Sequence, residues 1–236
     1  MMFDAQVWQP QPAPAPDSYS VLYCGVRKIG KVPTEIEVKL RITSLPDMLE
    51  RLKRLGAVSH GRVLEQNTLF DTPHSDFRRT GRLLRVRAET PASAHGQAGG
   101  RRKAVLTAKA PPPLGRRGSK SERSRYKERA ESELTLQNPT AFVWSLPALG
   151  LRPGFQYEKF RTSFRYRGLH LDLDETPVGI FLELEGQPRA IDRAANALGF
   201  TPKDYIRATY WEVYAADCRR RGIAVKNMLF SARKSR

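Results

Sequence analysis

The 236-residue sequence predicts an α+β fold that is mainly β. An eight-stranded antiparallel sheet closes into a barrel, with helices covering its outside. Three observations predict it. Short segments alternating at period two recur along the chain. The links between them are mostly hairpin-like, and no strand–helix–strand repeat is present. Most of these segments carry charges on one face and aliphatic side chains on the other.

The order of elements begins after a Pro/Ala/Gln-rich stretch, Gln9–Pro16, whose composition favours extended, solvated backbone. Residues 1–32 are therefore expected to be disordered. Thr34–Arg41 is the first strand: Glu35, Glu37, Lys39 and Arg41 alternate with Ile36, Val38, Leu40 and Ile42. Leu45–Leu55 is an amphipathic helix, with Ser44 as N-cap, Pro46 in the first turn and Gly56 at the end. Arg62–Asp71 is a β segment, and Asp76–Gly81 a helical turn leading into the strand Arg82–Ala88. Residues 90–102 form a Gly/Ala/Pro-rich connection before the strand Lys103–Lys109. Pro111–Arg123 is a second flexible connection before Arg125–Leu136. Pro139–Leu149 is a helix broken by Pro147. Phe155–Arg167 and Leu169–Asp174 join at Gly168 as a hairpin, and Gly179–Gly186 supplies the last strand. Helices are expected over Arg189–Leu198 and Pro202–Cys218, followed by a basic, frayed tail over 219–236. The ordered domain is expected to span residues 33–218.

Composition narrows the function classes. No run of eighteen apolar residues is present, and no apolar segment follows a basic start, so neither a membrane span nor a secretory signal is expected. Cys24 and Cys218 lie far apart with no paired spacing, which argues against a disulfide scaffold or a zinc site. A cytoplasmic protein is expected. The net charge of +17 suggests a polyanion partner. Its distribution is uneven, however. Residues 90–125 hold nine Lys/Arg against one acid, and residues 219–236 hold seven against none. A nucleic-acid contact is thus expected only through this loop region and tail. No Walker-type glycine loop occurs.

The charged faces decide the rest. Acid pairs occur at Glu35/Glu37 and Glu183/Glu185, and base pairs at Arg85/Arg87, Lys127/Arg129 and Lys159/Arg161. Lys109, Glu131 and Asp174 extend the set. A solvated outer face would mix polar types loosely, but here the signs segregate by strand. With these faces inside the barrel, the lumen is a charged tunnel and the aliphatic faces need helices as cover. Buried charge must be paired, wet or matched by ions. Carboxylate clusters suit hard divalent cations such as Mg²⁺ or Mn²⁺, and converging Lys and Arg suit phosphate oxygens. Both together fit a polyphosphate bound with its metal.

Glu35-Ile-Glu-Val-Lys39 is the E-x-E-x-K signature of the CYTH superfamily, also called triphosphate tunnel metalloenzymes, and the chain resembles that family further along. The matching elements are Leu69–Thr72, Leu84–Arg87, Leu106–Lys109, Lys127-x-Arg129 with Glu131 and Glu133, Lys159-x-Arg161, and Asp174 ahead of Phe181–Glu185. The family includes class IV adenylyl cyclases, thiamine triphosphatases, inorganic triphosphatases and fungal RNA triphosphatases. The resemblance implies an eight-stranded tunnel. It implies divalent metal on Glu35, Glu37, Glu183 and Glu185, with Asp174 and Glu131 as further candidates. It places phosphate on Lys39, Arg85, Arg87, Lys109, Lys127, Arg129, Lys159 and Arg161. Catalysis would fall to Lys39, Glu35 and Glu37, with Lys39 orienting or deprotonating water. Asp172 lies on the same face as Asp174, and the interval from Asp174 to Glu183 is one residue shorter than in cyclase-like members. Hydrolysis of an inorganic or small organic triphosphate is the leading expectation. Cyclisation of ATP to cyclic AMP and pyrophosphate is the alternative, and a non-catalytic polyanion-binding module a third. Either a monomer or a homodimer is expected.

Overall fold

The computed structural model describes residues 33–112 and 125–231. The expected N-terminal extension, most of the second connection and the last five residues lie outside the described residues. Eight strands close into an antiparallel barrel: β1 (Thr34–Ile42), β2 (Val58–Asp71), β3 (Leu83–Pro91), β4 (Lys103–Ala110), β5 (Lys127–Thr135), β6 (Arg152–Tyr166), β7 (Leu169–Thr176) and β8 (Gly179–Glu185). Around the barrel the order is β1-β5-β4-β3-β2-β6-β7-β8. Hairpin neighbours make most of the wall. The pairs β1/β5, β1/β8 and β2/β6 close it over long sequence separations. At the β6–β7 hairpin the two-residue turn holds Arg167 at φ 44° and Gly168 at φ 79°. Two consecutive positive φ values define the turn whose twist matches antiparallel strands.

The aliphatic faces point outward, as the inward-charge reading requires. Val38, Leu40 and Ile42 of β1, Leu171 and Leu173 of β7, and Leu182 and Leu184 of β8 form one buried layer. It is covered by α1 (Leu45–Leu55) through Met48 and Leu52, and by α4 (Pro188–Ala197) through Ile191, Ala194 and Ala195. The α1 helix follows its sequence signals closely. The Ser44 side chain accepts from the Asp47 amide, and Gly56 closes the helix in the left-handed region. On the β2/β3 side, Phe70, Leu84 and Val86 are covered by Phe142 and Val143 of α3 (Pro139–Ser145) and by Leu146. A single turn, α2 (Asp76–Arg79), leads into β3.

Two expectations are corrected. The helix expected over Pro202–Cys218 is broken in two: a short 3₁₀ turn at Pro202–Asp204, then α5 (Tyr210–Arg220). Between them Ile206 exchanges both backbone hydrogen bonds with Lys39. β5 pairs with β1 only over Thr34–Glu37, so the β1 backbone beyond it needs another partner, and Ile206 supplies it. A capping box, with Thr209 and Glu212 satisfying each other's backbone amides, starts α5 at Tyr210. The second correction concerns the tail, which is not frayed through Ser231. Met228 is buried and forms a parallel bridge to Tyr157, exchanging bonds with Gln156 and Glu158. β7 pairs with β6 only from Phe160 onward, so the tail covers an edge that would otherwise be bare.

Candidate active site

Strand register brings the charged faces together inside the barrel. Across β1 and β8, Glu37 lies opposite Glu185 and Lys39 opposite Glu183. Across β1 and β5, Glu35 faces Arg129 and Glu37 faces Lys127. β7 sets His170 against Glu185 and Asp172 against Glu183, and β6 sets Arg161 against Asp174. Side chains also meet across non-adjacent strands: Lys109 of β4 binds Glu35 of β1, and Arg161 of β6 binds Glu183 of β8. Such contacts require all of them to point into the lumen.

One part of the lumen is crowded with carboxylates. Glu35 is bound by Lys109, Glu37 by Lys127, and Glu131 lies 3.2 Å from the Lys109 amine. Glu185 is 42% exposed, with the imidazole of His170 3.8 Å away. Burial, with the charges of Glu37 and Glu131, pushes the Glu35 carboxyl up to about 7. Burial and Glu131 push Glu185 up to about 6. Glu37 goes the other way: despite its burial, Lys39 and Lys127 hold it at about 2. Carboxylates crowded together under partial burial are a fitting donor set for a hard divalent cation. Among the described residues no three His, Cys, Asp or Glu side chains are already gathered as a metal cage. The lysines occupy them instead.

The other part of the lumen is centred on fully buried charges. Lys159 lies 2.8 Å from Asp174 and 3.4 Å from Glu65, with side-chain exposures of 2%, 0% and 1% respectively. Arg161 grips Asp174 through Nε and Nη2, both at 2.7 Å, and Asp172 at 2.6 Å. The Tyr210 hydroxyl donates to Asp174 at 2.6 Å, and its ring lies 4.9 Å from both the Lys39 and the Lys159 amines. Phe181 and Tyr157 close around this tyrosine. Lys39 lies between the two parts, 2.7 Å from Glu183. Burial works against its charge, but Glu183 and Glu37 raise its pKa above the usual lysine range. In this setting it is a cation suited to orienting a ligand.

All the residues singled out in the sequence lie on these strands, but they fall into different settings. Arg85, Arg87, Lys109, Lys127 and Arg161 keep a little solvent exposure. Lys159 and Asp174 are sealed. Arg129 turns to the mouth of the tunnel, where it donates to the Gly81 carbonyl at 2.8 Å. Arg85 binds Thr107 at 3.0 Å and the Tyr157 hydroxyl at 3.2 Å, and Arg87 binds Glu133 at 3.2 Å. Among the described residues, Arg85 Nε and Asn67 Oδ1 in the lumen have no hydrogen-bond partner, and neither has Arg62 Nε beside Phe160. Arg87 Nε is 2.8 Å from Glu89 but not aligned to donate. An unpaired buried guanidinium donor points to a missing anion.

Sequence reasoning missed the β2 contribution, Glu65 and Asn67. The outward face of β2 is also polar, with Gln66 bound to Glu158 and Arg102, so the contrast that reveals a lumen face is absent there. Tyr210 was legible only as an aromatic at helical spacing. Beside it, the tunnel mouth opens into a cavity of about 330 Å³ lined by Leu69, Phe77, Phe155, Trp211, Arg82 and Arg129, among others. Arg78 stacks over Trp211 at 4.7 Å and Arg82 over Phe77 at 5.0 Å.

Comparison with solved structures gives the fold a context. A candidate adenylate cyclase from Vibrio parahaemolyticus superposes with a TM-score of 0.62 at 16% identity, covering 78% of this chain and 99% of its own. Two proteins from Pyrococcus horikoshii superpose with TM-scores of 0.60 and 0.55 at 21% and 22% identity. They cover 78% and 76% of this chain, and 99% and 98% of their own. At these identities the likeness is one of fold. Comparison with curated proteins returned no match. The family model described as the CYTH domain matches residues 33–210. Enzymes of that family act on triphosphates as adenylyl cyclases or triphosphatases and generally use divalent metal ions. With three quarters of its length matched and the tunnel in place, the chain belongs to the CYTH family.

Proposed function

We propose that the protein is a metal-dependent triphosphatase, taking a triphosphate along the partly exposed part of the lumen and an attached organic group in the aromatic mouth. One observation carries this reading: the buried Arg85 and Arg87 of β3 and the partly exposed Lys109, Lys127 and Arg161 of β4, β5 and β6 converge on the same lumen as a set of crowded carboxylates. Glu35, Glu37, Glu183 and Glu185 would hold a Mg²⁺ or Mn²⁺ ion, with Glu131 beside them. When bound, the ion supplies Lewis-acid polarisation and neutralises phosphate charge. Arg85 and Arg87 then stabilise charge on the transferred phosphoryl group, and Lys109, Lys127 and Arg161 hold the remaining phosphates. Lys39, kept protonated by Glu183 and Glu37, orients a phosphate oxygen. Water attacks the terminal phosphorus and orthophosphate leaves the diphosphate behind.

The mouth cavity favours an organic triphosphate over the inorganic one, because its volume and aromatic lining suit a small apolar or planar group. It also supports a second reading, cyclisation of ATP. Hydrolysis asks only for a phosphate chain and water. Cyclisation asks for a ribose folded back onto the α-phosphorus, beside arginines already committed to Trp211, Phe77 and Gly81. The test is product analysis by phosphorus NMR with ATP, thiamine triphosphate and tripolyphosphate, each with Mg²⁺ or Mn²⁺. Orthophosphate and a diphosphate are expected. Cyclic AMP with pyrophosphate would replace this reading by the second, and no turnover of any substrate would refute both.

A further inference from the structure

Glu65 is assigned no part in the scheme above, yet it is among the most buried charges in the protein. Its carboxylate lies 3.4 Å from Lys159, 3.5 Å from Arg161 and 3.8 Å from Arg87, and accepts from Asn67 at 3.4 Å. These three cations come from the walls on either side of β2: Arg87 from β3, Lys159 and Arg161 from β6. Burial opposes its charge, but Lys159, Arg161 and Arg87 hold the carboxyl well below the usual glutamate range. It is thus a fixed anion where a phosphate group would otherwise satisfy the same donors.

We propose that Glu65 is a positioning residue: a built-in counter-anion that fixes Arg87, Lys159 and Arg161 in the wall and limits how tightly the lumen takes a phosphate chain. The inference rests on the reading of the lumen as a triphosphate site. Arg87 and Arg161 each keep about a tenth of their side-chain surface open, so a phosphate can share them with Glu65. Lys159, sealed between Glu65 and Asp174, cannot be shared in this way. The carboxylate lets the empty lumen exist without an anion and keeps the diphosphate product from being held too long.

A purely structural carboxylate and a counter-anion differ in the sign of their effect on affinity. Calorimetric titration of the imido analogue of tripolyphosphate, whose P–N–P bridges resist hydrolysis, with Mg²⁺ into wild type, Glu65→Gln and Glu65→Asp separates them. Glu65→Gln is expected to bind at least about tenfold tighter, since one negative charge is removed a few ångströms from the phosphates. Turnover should show KM and kcat falling together as product leaves more slowly. Glu65→Asp, which keeps the charge, should stay near the wild-type affinity. Equal or weaker binding by Glu65→Gln, or equal tightening by Glu65→Asp, overturns the proposal. If Glu65→Gln does not fold, the isosteric Asn67→Asp adds a charge beside Glu65 and should weaken binding by a similar factor. Unchanged or tighter binding there would also overturn it. If wild type itself does not bind the analogue, the triphosphate reading fails first and this inference falls with it.

Discussion

The two parts of the tunnel use the same residue types for opposite ends. Around Glu35, Glu131 and Glu185, like charges crowd, two carboxyls are pushed toward neutral pH, and solvent reaches Glu131 and Glu185. Around Asp174, Glu65 and Lys159, opposite charges interlock with almost no solvent contact, and Tyr210 seals them from the α5 side. In the first arrangement the lysine pairs leave repulsion among the carboxylates, which a bound cation would relieve. The second is satisfied and resists change. Charge in a barrel interior is therefore no single signal: the two parts differ in whether like charges remain crowded once the pairs have formed.

This contrast can be broken experimentally, and the largest effect is expected in the sealed part. Asp174→Asn leaves Lys159 and Arg161 short of a partner in a buried site, so a loss of about 3–5 kcal/mol in denaturant-measured stability is expected. A neutral result would mean that water enters there. Glu65→Gln should cost about 3 kcal/mol at neutral pH for the same reason. Its pH dependence has a defined sign. The folded carboxyl titrates below its unfolded value of 4.5, so the stabilisation is complete above that pH and fades as acid protonates the folded group. The gap between wild-type and variant stabilities should therefore begin to narrow below about pH 4.5 and close only as the folded carboxyl itself is protonated. A difference that grew in acid would contradict the pairing.

In the crowded part the expected sign reverses. Glu185→Gln relieves repulsion and should leave the melting temperature unchanged or higher, while lowering kcat by about a hundredfold. A variant that lost stability but kept turnover would exchange the roles of the two parts. The smallest effect belongs to the seal. Tyr210→Phe keeps the ring between Lys39 and Lys159 but removes the bond to Asp174, and should cost about 1.5 kcal/mol. Turnover should be little altered.

Much of the architecture was legible because it rests on local signals. β1, α1 and β8 each combine clean periodicity with a cap or turn residue, and their bounds shift by a residue or less. The break near Ile206 was not legible as such, since it answers to a backbone vacancy on β1 more than 150 positions away in sequence. The capping box at Thr209, which starts α5, is a local signal that the single-helix reading of Pro202–Cys218 passed over. The tail strand through Met228 likewise answers to the short β6/β7 pairing and not to its own basic composition. Within the lumen, side-chain type identified the charges but not their states. Asp174 and Glu183 read alike in sequence, yet one is locked by Lys159, Arg161 and Tyr210 while the other keeps an edge toward Lys39 and solvent.

The central claim is that the crowded carboxylates work with a divalent ion on a triphosphate held by the partly exposed cations. The direct measurement is phosphate release from tripolyphosphate and ATP by the full chain with Mg²⁺ or Mn²⁺, repeated with EDTA and with Glu185→Gln. Release that EDTA abolishes, and that Glu185→Gln lowers about a hundredfold without unfolding, is predicted. Release persisting in EDTA, or undiminished in the variant, would contradict it.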